Sequence, residues 1–103
     1  MKLSKSTRAQ KKYQVELDGR TIHFGAAGYE DYTTHKDPER KAKYLKRHAG
    51  ENWADPMTAG FWARWLLWNQ PSLMASIRDV EKRLNFSIQW HDAGNLSMFQ
   101  SIA

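Results

Sequence analysis

Apolar and polar positions alternate between residues 13 and 24. Tyr13, Val15 and Leu17 are separated by polar side chains, Asp18-Gly19 interrupts, and Ile22 and Phe24 resume the alternation. A period of two marks a half-buried strand, and Asp-Gly tolerates the positive φ angles of a tight turn, so the pattern predicts a β-hairpin. Gly25-Ala-Ala-Gly28 reads as a loop, and Tyr29 to His35 as a short irregular segment pinned by its two tyrosines. The period then changes. Asp37 supplies a cap and Pro38 suits a first helical turn, which predicts a helix from there to about His48, with Gly50 as terminator. Asp55-Pro56 repeats the start signal for a second helix reaching Trp68 or Asn69. Pro71 breaks it, and Ser72 caps a third helix from Leu73 to Leu84. In that third helix Leu73, Ile77, Val80 and Leu84 recur at helical spacing as a buried stripe. Phe86 to Trp90 alternates once more and predicts a returning strand.

The second helix is the most unusual stretch. On a wheel of about 100° per residue, Met57, Phe61, Trp62, Trp65, Leu66 and Trp68 fill about half the circumference. Gly60, Ala63 and Leu67 lie opposite, where small residues permit close approach. Phe61, Trp62, Trp65 and Trp68 are therefore the expected core aromatics, with Trp65 facing inward between Phe61 and Trp68. A second reading stays open, in which one aromatic edge is a docking surface, because Trp and Arg dominate interface energetics.

Charge changes the picture next. Residues 1–50 carry 12 Lys or Arg against 6 Asp or Glu, while residues 51–103 carry 4 against 5. The first twelve residues hold Lys2, Lys5, Arg8, Lys11 and Lys12, no acid, and only Leu3 as a large branched apolar group. They read as a basic arm that orders against a partner or a groove of its own domain. Lys36, Arg40, Lys43 and Arg47, spaced four, three and four, place a positive face along the first helix. That stripe is either a solvated surface or a binding strip for phosphates or carboxylates.

Several chemistries are absent from the sequence. There is no cysteine, so disulfides, thiolate metal sites and thiol nucleophiles are excluded. His23, His35, His48 and His91 show no ligand spacing, and no HExxH, GxSxG or phosphate-loop motif occurs. Glu30-Asp31 are adjacent, a poor arrangement for aiming two carboxylates at one bond. No enzyme, metal or cofactor is expected. A helix-turn-helix through Asn69-Gln70-Pro71 is disfavoured, because Arg78, Asp79, Glu81, Lys82 and Arg83 nearly balance in sign where a recognition helix should be basic. The most apolar run, Phe61 to Trp68, is interrupted by Arg64 and too short to span a bilayer, and no secretory signal opens the chain, so an intracellular protein without a membrane span is expected.

The strings FGAAGYEDYTTHKD (24–37), RKAKYLKRH (40–48), ENW (51–53) and TAGFWARWLLWN (58–69) resemble a family of short uncharacterised proteins of nucleocytoplasmic large DNA viruses, the giant viruses of algae and amoebae. The resemblance covers about residues 12–85. It implies a viral origin and, by class, a virion component, with no residue-level mechanism to transfer.

Together these readings predict one small α+β domain: a basic arm (1–12), a globular part (13–91) with an N-terminal β-hairpin packed on about three helices around a central Trp-rich helix, and a tail (92–103). The function expected first is a minor capsid protein of the virion, its basic arm and Lys36–Arg47 stripe gripping capsid proteins of the same particle. An arm that orders against a partner suits a defined protein neighbour better than heterogeneous nucleic acid. A genome-associated, nucleic-acid-binding protein is the alternative.

Overall fold

The hairpin forms where the alternation places it. In the computed structural model, which describes residues 1–91, β2 (Lys11–Leu17) and β3 (Arg20–Ala26) pair antiparallel with Val15 opposite Ile22 and Tyr13 opposite Phe24. Asp18 (φ 50°) and Gly19 (φ 76°) take the two left-handed positions of the turn.

The basic arm is a correction. Residues 2–5 form a strand, β1 (Lys2–Lys5), which pairs antiparallel with β2, Leu3 lying opposite Val15. A fourth strand, β4 (Gln89–His91), pairs parallel with β1, Leu3 opposite Trp90. The sheet order is β3-β2-β1-β4, so β1 is an inner strand. Residues 6–12 return the chain to β2 through bonds such as Ser6 N–H to the Lys12 carbonyl (3.1 Å). The reason lies in Leu3, which is fully buried. A single apolar residue at the inward position of a paired strand adds its burial to four strand residues' worth of ladder hydrogen bonds, and together these offset the ordering of a short segment. The arm and the globular part are thus one unit. The tail beyond residue 91, with Leu96, Met98, Phe99 and Ile102, lies outside the described residues.

The helices start where side chains satisfy their free amides. Asp31 caps α1 (Tyr32–His35), a short helix where an irregular segment is expected, and Thr34 completes a reciprocal capping box. Asp37 accepts from Glu39 and Arg40 N–H to open α2 (Pro38–Arg47) at the residue expected, and His48 closes it without help from Gly50. Ser72 caps α4 (Leu73–Leu84) through Ala75 N–H, also as expected.

The tryptophan helix departs from prediction at both ends. Asp55 caps only a turn, through Met57 N–H (2.9 Å), and α3 (Ala59–Trp62) begins later, with Thr58 as its cap. Residues Ala63–Leu67 then continue as a π-helix, closed by Trp68 N–H to the Ala63 carbonyl (3.1 Å). The wider turn rotates every later side chain off the 100° wheel. The buried pairs become Phe61-Trp62 and Leu66-Leu67, five residues apart, which is the π spacing. Leu67 is therefore core. Trp65 and Trp68, expected at the centre with Phe61 and Trp62, are only partly buried against it. Trp62 is the central ring, fully enclosed and donating to the Pro56 carbonyl (2.6 Å). Trp65 instead lies under two guanidinium groups, Arg64 and Arg83, whose central carbons are 4.1 and 3.8 Å from its ring centroid.

Leu3, Val15 and Phe24 meet these buried rings and Leu66, Ile77 and Val80 in one core on one side of the sheet. The other side carries polar rows: Lys2 beside Glu16 and Thr21, and Ser4 beside Gln14 and His23. The molecule is a small α+β domain of four strands in one sheet and four helices. Among the described residues no helix is long and apolar enough to cross a membrane.

Candidate functional site

One groove, of about 790 Å³, lies between the open end of the β2–β3 hairpin and α2, and it reaches the start of α3. Its floor is aromatic. Tyr44, buried on α2, lies parallel to Trp68 at a centroid distance of 4.4 Å and stacks on its other side with His48 at 4.2 Å. Burial pushes the Tyr44 phenol up to about 12, with the Glu51 carboxylate adding to the rise and Arg64 and Arg47 opposing it.

Two glycines make the groove's walls meet closely. Gly25 has φ +81°, and a Cβ there would stand 2.8 Å from Leu67 Cδ1. Glycine takes this left-handed conformation without strain, and its missing side chain lets Leu67 lie against β3 beside Lys12. Gly60 lets Glu51 lie against α3, since a Cβ would be 2.7 Å from its Oε1.

Five cations line the groove: Lys11 and Lys12 from β2, and Arg40, Lys43 and Arg47 from α2. Lys12 is fixed by Asp31 (2.6 Å), both side chains largely buried, so it joins the hairpin to the cap of α1. Arg40 pairs loosely with Glu30 at 3.4 Å on the surface. Glu51 is held by His48 Nδ1. Lys11, Lys43 and Arg47 make no ion pair among the described residues and are exposed. A cation-lined recess with three uncommitted positive charges can hold a polyanion. Tyr29 stands at the mouth, 74% exposed.

The other expected contact residues are elsewhere. Lys2 pairs with Glu16 across the sheet (3.7 Å). Lys5 and Arg8 do not line the groove. Lys36, at the left-handed end of α1, donates to the Pro71 carbonyl and ties α1 to the start of α4. The predicted stripe is therefore split: its last three members enter the groove and its first does not. Lys41 was not singled out by spacing; it donates to the Asn69 carbonyl (2.7 Å) and sits 4.9 Å from the Tyr32 ring centre. Burial, with Arg64 nearby, lowers its pKa. The sequence reading also missed the convergence of Lys11 and Lys12 with α2, because nothing local records that the hairpin end faces that helix. Gly25, expected in a loop, lies in β3 and is the one local signal of that close approach. Among the described residues no three His, Asp or Glu side chains are placed to hold a metal ion.

The fold and groove thus define a small α+β domain with a cationic, aromatic-floored recess. Residues 1–48, which contain the hairpin, β1 and α2, match the profile of a family of unknown function (DUF5754). No curated protein and no solved structure matches the chain.

Proposed function

We propose that this protein binds nucleic acid without catalysing a reaction, holding a phosphate backbone in the groove between the hairpin end and α2. The observation that supports this best is the meeting of Lys11, Lys43 and Arg47, from two separate elements, none of them in an ion pair among the described residues. Of the three carboxylates of the groove, Asp31 is tied to Lys12 and Glu30 to Arg40, while Glu51 is held by the His48 ring, so none of them is directed at Lys11, Lys43 or Arg47. The sequence resemblance adds a setting to this reading, a genome-associated protein of a giant-virus particle. A minor capsid role would use residues 1–12 as an extended arm together with the Lys36–Arg47 stripe. With Leu3 in the core and β1 inside the sheet, the groove is the better anchor for a partner.

The test is binding of a fluorescently labelled oligonucleotide by the full chain at low salt. Lys43→Glu with Arg47→Glu, two exposed positions whose replacement leaves the core untouched, should abolish it. Unchanged binding by this double variant would move the site away from the groove.

A further inference from the structure

Tyr29 is the most exposed large apolar side chain among the described residues, ahead of Phe86 and Met74. Its backbone is not loose. Its N–H bonds to the Ala26 carbonyl (3.4 Å), Gly28 before it takes φ +84°, and Asp31 two residues on is held by Lys12. A ring on a fixed base at the mouth of a cationic groove, uncovered by the described residues, is a stacking platform for a flat partner.

The groove also carries carboxylates. Glu30 and Glu51 line the same recess as Lys43 and Arg47. A duplex, whose bases are stacked on one another, offers no free base face along its length and brings a second row of phosphates towards these acids. A single strand has one row of phosphates and free base faces, and its base edges carry amino groups that carboxylates can accept from.

Resting on the phosphate-binding reading above, we infer that the groove selects single-stranded nucleic acid over duplex. One base stacks on Tyr29, phosphates lie along Lys11, Lys43 and Arg47, and base edges face Glu30 and Glu51. Stacking tolerates any base, so preference among sequences is weak.

Fluorescence anisotropy with the full chain at low salt tests this, using a mixed-sequence single strand of about 12 nucleotides, the matching duplex, and a polyglutamate peptide of equal charge. The single strand should bind about ten-fold or more tighter than the duplex. Tyr29→Ala should weaken the single strand about ten-fold and leave the duplex unchanged, while Tyr29→Trp keeps the preference. Equal binding of both forms, or a Tyr29→Ala variant with no effect on the single strand, overturns the single-strand inference and leaves phosphate binding standing. Binding of neither nucleic acid, or tighter binding of polyglutamate, overturns the phosphate-binding reading itself.

Discussion

The Tyr44 ring lies parallel to Trp68, their planes 2° apart, and so joins α2 to the end of the π-helix. This contact places the charged face of α2 beside the hairpin end. It also buries a phenol whose ionisation is pushed up to about 12.

Alkaline stability should report that burial. Tyrosine in an unfolded chain ionises near about 10. A group whose pKa is raised on folding contributes fully below its unfolded value and loses that contribution as pH climbs through the folded one. Between about pH 10 and 12 the domain should lose about 2–3 kcal/mol from Tyr44. Tyr44→Phe should flatten this part of a denaturation-versus-pH curve. A decline of the same size in the variant would show that Tyr44 is not its source.

Residues 2–5 should be indispensable to the fold. Leu3→Ala is expected to cost about 2–5 kcal/mol by urea denaturation, and removing residues 1–6 should leave no cooperative melting transition. A truncated chain that melted like the full one would return these residues to the status of an arm.

The two neighbouring tryptophans should separate cleanly. Trp62→Ala, at a fully enclosed position, should cost about 3–5 kcal/mol. Trp65→Ala should cost less, because its ring is partly exposed and its main partners are the Arg64 and Arg83 guanidinium groups. Equal denaturation midpoints would contradict the register that the π-helix imposes.

This contrast also shows where the sequence was readable. Local signals held: Asp18-Gly19, Asp37-Pro38 and Ser72 each mark an element boundary through bonds between residues close in the chain. Two features escaped for a physical reason. A π-helical turn leaves no side-chain signature, so the wheel misplaced Trp65 and Leu67. Strand β1 owes its existence to partners at Val15 and Trp90, which composition cannot reveal. The site was half legible. Arg40, Lys43 and Arg47 follow from helical spacing, whereas Lys11, Tyr29 and Glu51 reach the same groove only through the tertiary fold.

The Lys12–Asp31 pair should behave as a buried pair rather than a surface one. Asp31 is almost fully enclosed, so Lys12→Met leaves its carboxylate with the helix-cap donors of Thr33 and Thr34 and no cation. Breaking such a pair costs about 3–5 kcal/mol, towards the lower end here because those bonds remain. Thermal denaturation of the variant checks this, and a loss below about 1 kcal/mol, the range of exposed pairs, would show the pair to be solvent-screened.

The central claim is that phosphates are held by cations of this groove, and the salt dependence of binding tests it most directly. Each phosphate neutralised on a single strand contributes about −0.7 to the slope of log affinity against log salt. With Lys11, Lys43 and Arg47 engaged, a slope near about −2 is expected for the full chain, and it should fall towards zero when all three are changed to Gln. A slope that the triple variant leaves unaltered, or binding by the full chain that does not respond to salt, would contradict the account.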